Sequence, residues 1–206
     1  MIRKIPYPFA LFFFLIFFTL SACTTFAPTP PKTIFSFKDR TKTLQQIKYF
    51  QLSGKIAVQT NKEAGSAVLH WTQNNGQYEM ALLNPLGTSI LKLTGKKESV
   101  LLETADGKSY SAKNPEQLLA DQWGFHLPVS YLNYWVRGIP VPGLPYHGQF
   151  DVFHRLKTLS QQNIQIQFLS YMNTELIDLP QMITITSPTL KAKIRIYQWR
   201  LVYFKI

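Results

Sequence analysis

The chain has 206 residues, 46% of them hydrophobic, with 22 Lys and Arg against 11 Asp and Glu, a formal charge of +11, and one cysteine. That length supports one domain, and the apolar share supports a packed core rather than a disordered chain. A disulfide framework and a cysteine-rich cluster are excluded, the four histidines show no ligand spacing, and no glycine-rich phosphate loop occurs; no metal, nucleotide or other cofactor is expected.

The N-terminal segment reads as an address. Arg3 and Lys4 precede an almost wholly apolar run over 9–20. As a helix the run would reach roughly 18 Å, short of a bilayer core of about 30 Å and within the range of a secretory h-region. Leu20-Ser21-Ala22-Cys23 follows at once and resembles the bacterial lipobox. That resemblance implies cleavage after residue 22, a diacylglycerol on the Cys23 sulfur and an acyl chain on its amine. Thr24, where an Asp tends to retain lipoproteins at the inner membrane, implies sorting to the outer membrane. An ordinary signal that leaves a free thiol is the alternative. Residues 23–35, rich in Pro and Thr, read as a flexible tether, and 36–206 as a single domain.

Ser36 is a plausible N-cap for a helix over 37–49. The period then changes to two. Leu52, Ile56 and Val58 alternate with polar residues, and Gly65, Ala67, Leu69 and Trp71 repeat the pattern. Asn75-Gly76 and Asp106-Gly107 are hairpin signals, and strands fit at 78–83, 88–94, 98–104 and 108–112. Asn114-Pro115 starts a second helix, and Pro128 opens a third. Residues 138–148, rich in Pro and Gly, form a loop. Strands resume at about 150–158, 163–171, 181–187 and 190–199, with Asn173 and Pro180 marking turns. A helix, about six strands, two helices and four or five strands fit a mainly β fold: a curved antiparallel sheet with helices on its concave side, enclosing an apolar space.

Several segments carry a resemblance. Ser53-Gly54-Lys55-Ile56-Ala57-Val58, Trp71-Thr72-Gln73, Leu83-Asn84-Pro85-Leu86-Gly87-Thr88, Gly124-Phe125-His126-Leu127-Pro128, Trp135-Val136-Arg137-Gly138-Ile139-Pro140, Leu179-Pro180 and Gln198-Trp199 resemble, in order and spacing, the LolB family of outer-membrane lipoproteins. The resemblance implies an incomplete antiparallel β-barrel of about 11 strands whose apolar cavity is covered by helices. It implies acceptance of acylated lipoprotein cargo from a LolA-type periplasmic carrier, then delivery to outer-membrane phospholipid. The protein is expected to act as a monomer, without nucleotide and without binding nucleic acid. A lipocalin-like small-lipid binder and an assembly scaffold are the alternatives. Ser53 stands where such families often carry Arg, which puts a latch built on that Arg in doubt.

Asn84-Pro85-Leu86-Gly87 by itself reads as a tight turn with Leu86 tucked inward. The resemblance implies the opposite: Pro85, Leu86 and Gly87 project, and Leu86 dips into the membrane. Trp71, Tyr78, Met80, Leu82, Trp123 and Trp135 are candidates to line the acyl cavity, with plain core packing equally open. Lys191, Lys193 and Arg195 alternate with apolar residues, as a solvated strand face or as a patch for anionic headgroups or an acidic partner. No Gly-x-Ser-x-Gly elbow and no convincing carboxylate pair point to catalysis, so no enzyme is expected.

Overall fold

The computed structural model describes residues 28–96, 98–123 and 127–201. The expected signal, Cys23 and Thr24 lie outside the described residues, as do 124–126 and 202–206; of Trp123 only the backbone is described. Helix α1 spans Phe37–Gln46, and the Ser36 hydroxyl accepts from the Asp39 amide at 3.1 Å. It stops short of residue 49 because Tyr49 already opens a strand. Six strands follow: β1 Tyr49–Thr60, β2 Ala64–Asn74, β3 Gln77–Leu83, β4 Ser89–Lys96, β5 Ser99–Thr104 and β6 Ser109–Ala112. Helices α2 (Pro115–Trp123) and α3 (Val129–Trp135) come next. Five more strands complete the fold: β7 His147–Phe150, β8 Leu156–Gln161, β9 Ile164–Met172, β10 Leu179–Thr186 and β11 Leu190–Leu201.

All eleven strands form one antiparallel sheet in the order β6-β5-β4-β3-β2-β1-β11-β10-β9-β8-β7. The two halves of the chain meet where β11 pairs with β1, and the sheet stays open between β6 and β7. Each long strand is buried on one face only, in the alternation read from sequence. The registers align Leu102, Leu93, Met80, Trp71, Leu52 and Trp199 in one row across six strands on the inner face. Against that face pack Leu118 and Leu119 of α2, Leu132 and Trp135 of α3, and Val136 and Ile139 beyond it.

Gly54 has a steric reason to be glycine. The β1–β11 register shifts between Ser53 and Gly54, and there the β11 backbone crowds the strand. A Cβ on Gly54 would sit 2.2 Å from the Arg195 carbonyl oxygen. Backbone cannot swing aside as a side-chain end can. Gly54→Ala is expected to cost about 1–3 kcal/mol as the strands part, read as a lower urea midpoint at unchanged m-value. A midpoint equal to wild type would show that the seam yields freely.

Two expectations are corrected. The single strand over 150–158 is two strands around a tight turn. The Asp151 carboxylate accepts from the amides of Phe153 (2.9 Å) and Arg155 (3.0 Å), and His154 takes φ +59°, a local side-chain alternative to pairing. Pro180 is not in a turn but in β10, at a register shift where the ladder does not need its missing N–H.

A buried ionic cluster closes one end of the sheet. Asp178 receives Arg40 Nη1 at 2.6 Å and Arg155 Nη1 at 2.8 Å, and Arg155 also pairs with Asp151 at 2.7 Å. Both guanidinium groups lie over the Tyr171 ring, at 5.4 and 4.4 Å. The cluster also holds the incoming chain. Arg155 Nη1 donates to the Thr29 carbonyl (2.9 Å), Asn173 Nδ2 donates to that of Pro30 (3.3 Å), and His154 Nδ1 lies 3.3 Å from that of Phe35. The described part of the tether therefore lies along the domain rather than standing free of it.

Candidate functional site

The turn between β3 and β4 is built by one side chain. Asn84 Oδ1 accepts from the amides of Leu86 (2.9 Å) and Thr88 (3.0 Å), and the Gly87 amide donates to the Asn84 carbonyl at 3.0 Å. Gly87 takes φ +86°, which a residue with a Cβ adopts at a cost. Pro85 pre-sets the turn's first central φ. The result is a well-tied loop with Leu86 at its tip, 91% exposed. The inward Leu expected from turn chemistry alone is therefore not what forms. Ile90, at the start of β4, is also exposed.

The six expected lining residues are distributed as follows. Trp71, Met80 and Trp135 are buried on the inner face, while Tyr78 and Leu82 are half-buried there. The side chain of Trp123 lies outside the described residues. Trp71 packs edge-on against Phe50 (5.5 Å), which packs the same way on Trp199 (5.3 Å). Its indole N–H donates to Gln73 Oε1 at 3.3 Å. The Trp-x-Gln spacing is thereby explained: both residues face inward, and the buried amide satisfies the indole. The Tyr78 ring covers Gly95, where a Cβ would meet it at 2.2 Å. Its hydroxyl is buried without a hydrogen-bond partner among the described residues, and burial, with Glu116 nearby, holds the phenol well above its ordinary pKa.

Trp135 fills the centre. It is fully buried, stacks edge-on with Tyr131 at 5.8 Å, and donates to Gln161 Oε1 at 3.2 Å. Gln161 in turn accepts from the Val141 amide and donates to the carbonyls of Val141 and Leu144. Arg137 ties α3 to α1: Nη1 donates to the carbonyls of Leu44 (2.6 Å) and Ile47 (2.9 Å), and Nε to that of Asn133 (2.7 Å). These carbonyls lie at or near helix ends, where intrahelical donors run out, although that of Leu44 also accepts from the Ile47 amide at 3.3 Å. Burial pushes the Arg137 guanidinium down to about 10, with Tyr134 acting in the opposite direction. The Ser130 amide donates to Glu116 Oε1 at 2.9 Å, linking α3 to α2.

Among the described residues, Trp135, Val136 and Ile139 are each fully buried at the C-terminal end of α3 and just beyond it. Two clefts of about 460 and 310 Å³ lie elsewhere, at the end of the sheet where β1 starts and β11 finishes, and both are lined by Gln198 and Arg200. Gln161 and Arg137 are the residues that sequence reasoning missed. Arg137 lies within the Trp135–Pro140 segment that carries the family resemblance. Gln161 gave no signal, since an isolated Gln at a strand end is ordinary.

The family match decides the assignment. The family described as "Outer membrane lipoprotein LolB" matches residues 48–199. The chain belongs to the LolB family. Proteins named "Outer-membrane lipoprotein LolB" are similar over about four-fifths of the chain. That of Nitrosococcus oceani is 36% identical over 167 residues, covering 81% of this chain and 83% of the relative. That of Pseudomonas syringae is 34% identical over 164 residues, covering 80% of each. That of Pseudomonas aeruginosa is 33% identical over 165 residues, covering 80% of each. Two solved structures share the fold at 6% identity and a TM-score of 0.53, each covered to 90% and covering 80% of this chain. One is a DUF1329 family protein from Desulfovibrio piger, the other a domain from Vibrio parahaemolyticus described as an outer-membrane lipoprotein-sorting protein. LolB membership makes this an outer-membrane lipoprotein, lipid-anchored and facing the periplasm.

Proposed function

We propose that the domain accepts acylated lipoproteins from a LolA-type periplasmic carrier and inserts them into the inner leaflet of the outer membrane, as a monomer and without nucleotide. Cys23 carries the lipid anchor. Three acyl chains make spontaneous passage through water too slow to serve, since each buried CH₂ contributes about 0.8 kcal/mol. The acyl chains take the place now held by Trp135 and its neighbours, between the inner row of the sheet and the α2–α3 pair. Glu116 links those helices, so they move together when the space opens.

The observation that carries this reading is Leu86. A fully presented aliphatic side chain on a loop tied down by Asn84 does nothing for the core and is well placed to enter lipid. It gives the domain a point of delivery as well as a place to hold cargo.

The test uses the mature acylated chain in phospholipid vesicles, with a carrier preloaded with a triacylated lipoprotein. One-way transfer of cargo to the vesicles, dependent on this chain, is expected. If cargo stays on the carrier while free fatty acid binds the domain, the small-lipid reading replaces this one. If neither binds, the scaffold reading does. Mass spectrometry of the mature N-terminus checks Cys23: an unmodified thiol would refute the anchor assignment.

A further inference from the structure

We propose that the convex face of β2, β1, β11, β10 and β9 docks on an anionic phospholipid surface, so that the domain rests on this face beside its anchor. The inference rests on the anchored reading above.

These five strands contain Lys55, Lys191, Lys193, Arg195 and Arg200, and no Asp or Glu. All five cations are exposed. Lys55 stands directly opposite Arg195, and Lys193 and Lys191 stand at the next outward positions along β11, opposite Ala57 and Gln59. Like charges placed opposite each other across a strand pair weaken the sheet. None of the five joins an ion pair among the described residues. On the neighbouring strand β3 the outward carboxylate, Glu79, is already taken by Lys92 at 2.9 Å. The face thus gives up some stability to stay purely cationic.

Its place in the sheet names the occupant. The five strands are those that separate β3 from β8. At one end of the strands, beside β3, stands the Leu86 turn. At the opposite end, beside β8, stands the turn that carries Val152, 77% exposed, and Arg155, which holds Thr29 of the incoming chain. From Pro28 back to Cys23 an extended chain reaches at most about 18 Å. The acid-free face therefore lies between the lipid-directed tip and the anchor. Tethering keeps it at high effective concentration over the bilayer, so modest attraction is enough. Each Lys or Arg near an anionic leaflet contributes about fivefold to that attraction.

The test uses the full mature acylated chain, in which Cys23 is blocked by its lipid. Ala57→Cys, on the cationic face, and Gln117→Cys, on exposed α2, each receive a fluorophore in separate samples. Quenching by aqueous iodide is measured on vesicles of phosphatidylethanolamine with phosphatidylglycerol, and on phosphatidylcholine vesicles. On the anionic vesicles the label at 57 is expected to be shielded severalfold more than the label at 117. High salt, neutral vesicles, or the combined Lys191→Gln, Lys193→Gln and Arg195→Gln changes should each abolish the difference. Circular dichroism checks that this variant folds; if it does not, Lys193→Gln alone should reduce the shielding about fivefold. Equal quenching on both vesicle types overturns the proposal. So does shielding that appears only when an acidic carrier protein is added, which would assign the face to that protein. Cargo acceptance is followed in the same samples. Shielding without acceptance would sink the transfer reading and leave the docking face standing; acceptance without shielding would do the reverse.

Discussion

Asp178→Ala is expected to lower the unfolding free energy by about 3–5 kcal/mol, the cost of leaving buried cations without their counter-ion. Asp178 sits between Arg40 and Arg155, and all three side chains are almost completely buried. Arg155 would keep Asp151, but Arg40 would keep only the Asp178 backbone carbonyl and the face of Tyr171. Arg40 Nε already lacks a partner among the described residues, so no further acceptor there stands ready to take the charge. Urea unfolding measures the loss. The same change should loosen the incoming chain, because Arg155 holds Thr29 as well as Asp178. Faster tryptic cleavage after the exposed Lys32 reads that release. A loss below about 1 kcal/mol with unchanged cleavage would show that the cluster neither stabilises the domain nor secures the tether. Asp178→Asn, which keeps one side-chain acceptor but turns an NH₂ donor toward the other arginine, should lose most of the same stability.

This cluster marks the limit of what the sequence displayed. The strands were legible because one buried face imposes a period of two, and the hairpins because Asn75-Gly76 and Asp106-Gly107 suit tight turns. Asp151, by contrast, lies in a stretch whose neighbours alternate like a strand; only its carboxylate's capture of two amides breaks the strand there. Arg40, Arg155 and Asp178 are far apart in the chain, and long-range ion pairs have no local signature. The row from Leu102 to Trp199 likewise depends on register across six strands, which composition does not fix. Leu86 shows how local chemistry and surroundings divide the work. The turn was predictable from Asn, Pro and Gly, but the direction of its Leu depends on whether a neighbouring element covers the tip.

The helices are joined to the rest of the domain by hydrogen bonds to carbonyls and to Gln161, groups that water can satisfy once they are freed. The sheet is held by a continuous ladder. An acyl chain that displaces Trp135 would therefore move the helices and leave the strands in place. On the proposed function, the sheet would supply a constant apolar wall and the helices a cover whose closure competes with cargo.

Leu86→Glu is expected to leave stability within about 0.5 kcal/mol of wild type, because the side chain is 91% exposed. Carrier-to-domain transfer should also persist, since the inner row is untouched. Insertion into vesicles should slow by about 10- to 100-fold. Burying a Leu side chain in lipid contributes roughly 1.5–3 kcal/mol, and a carboxylate at the same point resists leaving water. Because Asn84 ties the loop, the tip cannot fold back to hide the change or swing another residue into its place. Leu86→Ile should keep nearly full insertion, which separates apolar contact from any particular side-chain shape. The measurement is a single-turnover assay with labelled cargo preloaded on the domain, followed by flotation of the vesicles. Equal rates for Leu86→Glu and wild type would remove Leu86 from the delivery step; slowed acceptance with unchanged delivery would place it at the carrier contact instead.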